Sequence, residues 1–163
     1  MTSPTHIAFA ELLFLVLLTT GGIALNPLNG LLIALSAILP DLDNRSTHVG
    51  KALPWVARFL ESKFGHRTLT HSLLFVAAFS VATLPAAFVG RDEYVCLIFG
   101  YVSHPFLDTM TFNGVQLFYP FSRAKCVFPL EVNNPHRYRL QTGSRRDRAL
   151  GALFGVLCIP AFL

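Results

Sequence analysis

The chain has 163 residues, of which 53% are hydrophobic and only 13% are charged, and its mean hydropathy is +0.52. An average soluble domain is far less apolar, so an integral membrane protein is the first class to consider. The net charge of +4 does not indicate nucleic acid as a partner, because the basic residues are separated by apolar runs and lie in particular loops. A chain of this length is expected to form a single domain, residues 1–163.

Neither the cysteines nor the first residues indicate a secreted, disulfide-bonded protein. The three cysteines form no Cys-x-x-Cys pair, and two of them lie in apolar runs, where a thiol behaves as a small hydrophobic group. Residues 1–6 contain no Lys or Arg, so the basic region of a cleaved signal peptide is missing. The first apolar run is therefore expected to remain in the mature protein.

The first third of the chain predicts two helices and a polar segment. Residues 7–25 form an apolar run interrupted only by Glu11, which has nearly the length of a membrane span. Turn-forming residues follow, and residues 31–39 then predict a shorter helix that ends at a proline. Segment 41–67 is polar and contains an amphipathic helix at residues 53–64, which we expect on the membrane surface.

Two longer apolar runs follow, residues 69–89 and 94–112, and they predict helices 3 and 4, joined by a tight polar hairpin. A last apolar run, from residue 149 onward, is short for a full crossing. Ser144 and Asp147, just before this run, match a helix capping box. The sequence thus predicts an all-α integral membrane bundle of four to five helices.

The positions of Lys and Arg predict the orientation of this bundle. Segments 41–67 and 113–148 hold five and seven of the 13 basic residues. By the positive-inside rule, both segments are cytoplasmic loops of a multi-pass protein whose N-terminus is also cytoplasmic.

This topology, which depends on Lys and Arg alone, brings histidines and aspartates to the cytoplasmic end of the bundle. Taken singly, a histidine at a helix end is usually a surface or capping residue, and an aspartate after a proline can simply terminate a helix. Neither explanation suits His104 and Asp108, which are four residues apart and share a face of a predicted membrane span. Each charge inside a span costs roughly 2.5–3.5 kcal/mol unless it is compensated. The candidates are His6, Asp41, Asp43, His66, His71, His104 and Asp108.

The residue types of this set indicate a metal site. Histidine with carboxylate and without cysteine is typical of hydrolytic zinc, manganese or iron sites, whereas structural zinc sites usually use thiolates. The candidates outnumber the three protein ligands of one open catalytic zinc site, so we expect two metal ions, with zinc preferred and manganese as the alternative.

Three motifs, in this order, resemble the YdjM-type family of bacterial inner-membrane metal-dependent hydrolases. They are Pro-Asp-Leu-Asp at residues 40–43, Gly-His-Arg-Thr-Leu-Thr-His-Ser at residues 65–72, and Gly-Tyr-Val-Ser-His-Pro-Phe-Leu-Asp-Thr-Met-Thr at residues 100–111. Gly114 and Pro120 follow, and Thr-His at residues 5–6 fits the opening of the family. The resemblance covers residues 5–150 and implies location in the bacterial inner membrane.

That family is in turn similar to zinc-dependent phospholipase C and P1-type nucleases, helical enzymes that cleave phosphoesters with clustered zinc ions. The resemblance implies phosphoester hydrolysis by a two-metal mechanism. In those enzymes a His-x-x-x-Asp pair on one helix is shared between metals, and His104 with Asp108 matches it. Their late His-x-x-x-Glu pair has no clear counterpart here, where His136 is an isolated candidate. The other ligands implied are Asp41, one or both of His66 and His71, and His6.

Three further side chains are candidates for catalysis. Arg67 could hold a phosphate or an anionic transition state with its planar guanidinium, or could instead form a salt bridge to Asp41 or Asp43. Glu11, over one turn beyond His6, is either a partner of a metal ligand or a general base. Asp43 is the third predicted catalytic residue.

The sequence therefore predicts a membrane-embedded, metal-dependent phosphoesterase whose partners are membrane lipids. A lipid-linked phosphate is the expected substrate, because a site at the hydrocarbon boundary meets lipid headgroups at high local concentration. The alternative is a metal-binding membrane protein without catalytic activity, a transporter or a sensor. A transporter would place ionisable residues along a path to both membrane faces, and the other face of this bundle offers few. An assembly or anchoring subunit would leave His104 and Asp108 unexplained.

Overall fold

The computed structural model describes residues 1–128 and 139–158. This part of the chain is mostly helical and contains no β-strand, and two isolated bridges, Thr111 with Leu140 and Val115 with Cys126, are its only β-type pairings. The predicted all-α class is confirmed. The elements are α1 (Ser3–Thr19), α2 (Pro27–Ile38), a first 3₁₀-helix (Leu39–Asp43), α3 (His48–Ala52), α4 (Pro54–Phe64), a second 3₁₀-helix (Leu69–His71), α5 (Leu73–Ala82), α6 (Ala86–Val89), α7 (Arg91–Thr109) and α8 (Arg145–Cys158).

The expected number of four to five helices is wrong, since the described residues form eight α-helices. The predicted third helix, residues 69–89, is divided because Ser72 caps the start of α5 by accepting from the Phe75 N–H at 3.1 Å. Pro85, which has no N–H to donate, lies between α5 and α6. Segment 41–67 adds α3 and α4, and α4 confirms the amphipathic helix predicted at residues 53–64.

Large apolar side chains cover much of the surface. Leu25, Val81, Phe88, Val89 and Phe121 are between 72% and 91% exposed. Contiguous exposed apolar surface is typical of contact with a membrane or a partner protein. Among the helices of residues 1–128 and 139–158, none is both long enough and apolar enough to cross a membrane.

The contact between α2 and α7 is the most extensive of the helix contacts, and it positions the candidate site. Gly100 approaches α2 so closely that a Cβ at this position would lie 2.0 Å from the Ser36 hydroxyl and 2.3 Å from the Ile33 carbonyl oxygen. Only glycine permits such an approach of two backbones. His104 lies about one turn further along α7. The buried core at this contact consists of Ala10, Phe14, Ile23, Ile33, Ala37 and Cys96.

Helix α8 packs against α1 and is tied to it by Asp147. The Ser144 hydroxyl accepts from the Asp147 N–H at 3.2 Å, which confirms the predicted N-terminal cap. The buried Asp147 carboxylate accepts from the Gly143 N–H at 2.8 Å, the Thr2 N–H at 3.1 Å and the Thr5 hydroxyl at 2.7 Å. The capping-box pattern predicted a local role for Asp147, and the structure adds the link between α8 and α1.

Candidate metal centre

Five buried side chains converge from four elements, and each is at most 6% exposed. His6 comes from the first turn of α1, Asp41 from the first 3₁₀-helix and His71 from the second. His104 and Asp108 lie on one face of α7, because residues four apart share a helix face. We refer to these five residues as the metal centre. The structure thus brings these five predicted residues together, and their role as metal ligands stays a prediction.

Asp108 contacts three histidines. Its Oδ1 lies 3.4 Å from Nε2 of His6, and its Oδ2 lies 3.7 Å from Nε2 of His71 and 3.8 Å from Nε2 of His104. Nε2 of His104 also lies 3.5 Å from Oδ1 of Asp41. Ligand atoms placed tetrahedrally about 2.0 Å from a zinc ion lie roughly 3.3 Å apart. The observed separations are close to the edges of such a coordination shell.

Hydrogen bonds fix two of the histidines in the form that binds metal through Nε2. Nδ1 of His104 donates to the Ala37 carbonyl at 2.7 Å, so Nε2 of the neutral ring carries the lone pair. The Thr70 hydroxyl donates to Asp43 at 2.6 Å, and it therefore accepts from Nδ1 of His71 at 3.0 Å. A hydrogen bond donated by the ring nitrogen that does not bind the metal is the usual way to orient a metal-binding histidine.

Several buried polar atoms of the centre have no hydrogen-bond partner among the residues that the structure describes. They are both ring nitrogens of His6, Nε2 of His71, Nε2 of His104 and Oδ2 of Asp108. Such atoms are rare in proteins and cost about 1–3 kcal/mol each. Two groups of three fully buried residues each bring one donor atom per residue within 4.8 Å of the other two, and His104 belongs to both groups. The donor set therefore fits a divalent metal ion. The two groups are His6, His104 and Asp108, and Asp41, His71 and His104.

Asp43, the last residue of the first 3₁₀-helix, supports the centre through contacts with residues 66–71. Its Oδ1 accepts from Nδ1 of His66 at 2.6 Å, and its Oδ2 accepts from the Arg67 N–H at 3.0 Å. Burial alone would raise the pKa of Asp43, but the bonds from His66 and His71 outweigh burial and hold that pKa below its usual range. Burial lowers the pKa of His71 more than its contact with Asp43 raises it. An ionised carboxylate and a neutral imidazole are the forms that metal binding requires.

The guanidinium of Arg67 pairs with Asp108 and forms no salt bridge with Asp41 or Asp43, although the Arg67 backbone N–H donates to Asp43. Its Nε lies 3.0 Å from Oδ2 of Asp108, while Nη1 donates to Thr111 at 2.7 Å and Nη2 to Thr142 at 3.3 Å. The salt bridge expected from the sequence therefore exists with a different partner. The backbone φ of 64° is uncommon outside glycine, and strain of this kind concentrates at functional sites.

The remaining predicted residues lie at the rim of the centre or away from it. His66 is 31% exposed and shares a partly buried donor group with Asp41 and Asp43. Glu11 belongs to no donor group in the part of the chain that the structure describes, and its carboxylate lies near Gly30 of α2. His136 lies outside the described residues.

Two groups of the site were missed by the sequence-based predictions. The amino group of Met1 contacts Oδ1 of Asp108, so two positive groups, this one and Arg67, face that carboxylate. Thr70 links Asp43 to His71. The placement of a hydroxyl residue directly before His71 was a usable signal for Thr70, whereas no pattern indicates the contact of Met1.

A cleft of about 790 Å³ opens beside the centre, between the start of α1, the segment before α3 and α8. Asp41, His66 and Arg67 lie on its wall, so a ligand in the cleft would reach the edge of the metal centre. Arg67 also borders two smaller cavities of about 440 and 280 Å³. Sites for small molecules typically have volumes of about 300–1,000 Å³.

These features define a helical protein with a buried histidine–aspartate centre that could bind metal. The YdjM inner membrane protein family matches residues 1–162, and the chain belongs to that family. The chain is 36% identical over 111 residues to the inner membrane protein YdjM of Escherichia coli strain K12, a match that covers 64% of this chain and 57% of the relative. The same values hold for YdjM of Shigella flexneri.

A third relative is YvsG of Bacillus subtilis strain 168, which is 34% identical over 87 residues, or 53% of this chain and 54% of YvsG. The chain thus spans less than two thirds of the length of these curated relatives. No solved structure matches the chain. The predicted family is confirmed, whereas none of these matches is to a phospholipase C or a P1 nuclease, so that more distant similarity stays a prediction.

Proposed function

We propose that this protein is a metal-dependent hydrolase embedded in the inner membrane, and that it cleaves a phosphoester of a lipid-linked phosphate by a two-metal mechanism. The observation that carries the proposal is the convergence of unpartnered imidazole nitrogens and carboxylate oxygens beside an open cleft. A purely structural metal site is closed by its protein ligands, whereas a catalytic site keeps a position open for substrate.

Two zinc ions, or two manganese ions, fit the donor set. The two oxygens of Asp108 face different histidines, since Oδ1 is nearest His6 and Oδ2 lies near both His71 and His104. Asp108 would therefore hold the ions together with these histidines. Divalent ions held in this centre would polarise a phosphoryl oxygen and acidify water.

The residues of the chain bind and orient the substrate phosphate. The guanidinium of Arg67 matches phosphate oxygens, and its bonds to Thr111 and Thr142 hold it at the wall of the cleft. Asp43 acts through its hydrogen bonds, which orient His71 and His66. Burial of the centre strengthens its electrostatic interactions. A role for Glu11 as a general base stays a prediction.

Membrane lipids are the expected partners, since the family consists of inner membrane proteins and large apolar side chains are exposed. The distribution of the basic residues supports an orientation in which the N-terminus and loops 41–67 and 113–148 would lie in the cytoplasm of a multi-pass protein.

The test is elemental analysis of the detergent-purified protein, followed by hydrolysis of a panel of phospholipids and isoprenoid phosphates with zinc or manganese restored. We expect about two metal equivalents per chain and cleavage of a lipid phosphoester. Asp108→Asn should abolish both. The matched control is Asp92→Asn at the other end of α7, where the carboxylate accepts from the Ala24 N–H at 2.8 Å.

Two outcomes would count against the proposal. A metal-replete protein that is inactive toward every substrate of the panel would favour the alternative, a metal-binding transporter or sensor without hydrolytic activity. A protein that binds no metal would exclude both functions.

A further inference from the structure

We propose that the 790 Å³ cleft binds the substrate as a phosphate amphiphile, with the phosphate at Arg67 and the hydrocarbon chain along the seam between α1 and α8. This inference rests on the proposed function and adds the location of the lipid chain. It assigns Ala152 as a residue that determines specificity for long chains.

The charged residues of the cleft favour an anionic headgroup. Arg67 and Arg148 lie on its wall, and among the residues that the structure describes Asp41 is the only acidic one there. Arg67 is only 9% exposed, so its guanidinium is largely removed from water. Arg148 makes no ion pair in the part of the chain that the structure describes. Two arginines with free donor capacity suit the oxygens of a phosphate.

The seam between α1 and α8 favours a hydrocarbon chain. Ala8, Gly151 and Ala152 line the cleft there, and none of them has a polar side chain. A Cβ at Gly151 would lie 2.9 Å from the Thr5 hydroxyl, so α8 lies directly against α1 and closes the base of the seam. Thr5 also lines the cleft here, but its hydroxyl donates to the Asp147 carboxylate at 2.7 Å. Apart from Arg148, the cleft is therefore bounded on this side largely by helix backbone and methyl groups, and its volume exceeds what a phosphate alone requires.

Ala152 is the position at which the seam can be filled without disturbing the core. Its side chain is exposed, whereas Gly151 next to it lies directly against α1, so a phenylalanine at position 152 would project into the cleft. Leu157 is a matched control on the same helix, because it is also exposed, does not line this cleft and lies about 140° further around α8.

The experiment compares two diesters with the same reactive group, hexadecyl p-nitrophenyl phosphate and methyl p-nitrophenyl phosphate. Water adds to phosphorus, the bond to the p-nitrophenyl oxygen breaks, and the products are an alkyl phosphate and p-nitrophenol. Ala152→Phe should lower kcat/KM for the hexadecyl diester about tenfold and leave the methyl diester and the metal content unchanged. Leu157→Phe should change neither substrate. An equal loss on both diesters, or no loss on either, would overturn the inference.

A binding measurement separates this inference from the proposed function. In phosphatidylcholine nanodiscs, dodecyl phosphate should raise the unfolding temperature of the wild-type protein more than inorganic phosphate does, and Ala152→Phe should remove the difference. If neither diester is cleaved and this difference is present, the hydrolase proposal fails, but the proposed binding site for the hydrocarbon chain is supported. If dodecyl phosphate and inorganic phosphate raise the unfolding temperature of the wild type equally, the proposed binding site for the hydrocarbon chain is refuted.

Discussion

The Asp108→Asn substitution keeps the shape of the side chain and removes its negative charge. In the structure this carboxylate lies 3.0 Å from Nε of Arg67 and 3.4 to 3.8 Å from Nε2 of His6, His71 and His104. We expect the variant to lose its metal ions and to be less stable even without metal, because Arg67 loses its buried ionic partner.

The two effects differ in size and can be separated. Removal of one partner of a buried ion pair costs about 3–5 kcal/mol, and the bonds that Arg67 keeps to Thr111 and Thr142 place the expected loss near the lower end. Metal at a thousandfold excess over its Kd stabilises a folded protein by about 4 kcal/mol. The variant that cannot bind metal lacks this second contribution.

Unfolding in detergent, with and without a chelator, measures both effects. The chelator should destabilise the wild type and the Asp92→Asn control and leave Asp108→Asn unchanged. The double variant Arg67→Gln with Asp108→Asn should be more stable than Asp108→Asn, because it no longer leaves a buried guanidinium unpaired. If Asp108→Asn responds to the chelator as strongly as the wild type, Asp108 is not a metal ligand.

Asp43→Asn should lower metal affinity about 10–100-fold in equilibrium dialysis, because Asp43 orients His71, while stoichiometry at saturating metal is kept; an unchanged affinity would contradict this role. Arg67→Lys should lower the hydrolysis rate at constant metal content, since lysine lacks the planar fork; loss of metal would make Arg67 a structural support. Ser144→Ala should cost about 1 kcal/mol of unfolding free energy without metal loss, since it removes a helix cap. Reporter fusions at Lys51 and Lys125 should both be cytoplasmic, and either one on the outer face would refute the predicted orientation.

The convergence of the five residues of the metal centre was predictable because it depends on coarse features. The distribution of Lys and Arg gave the direction of each helix, and helix direction alone brings His6, Asp41 and His71 to the same end as His104 and Asp108. The partner of Arg67 was not predictable. Sequence spacing shows which residues share a face of one helix, but the contact of Arg67 with Asp108 joins two separate elements and depends on how they pack. The left-handed backbone of Arg67 redirects its side chain in a way that no local pattern indicates.

The helix boundaries show a different limit. An apolar run has the same composition whether it forms one long helix or two short ones, so residues 69–89 suggested a single span. The signals for the division were present in Ser72, a good N-cap residue, and in Pro85, which cannot continue a helix. Hydrophobicity alone therefore predicts fewer helices than the described residues form.

The approach of α7 to α2 at Gly100 makes the metal centre dependent on a residue that has no donor atom. Any side chain at this position would push the two backbones apart, and the Ala37 carbonyl would then move away from Nδ1 of His104. Without that acceptor the imidazole is free to rotate and to shift its proton to the other nitrogen. Metal affinity should therefore be sensitive to a methyl group added one helical turn away from the nearest ligand, through spacing alone.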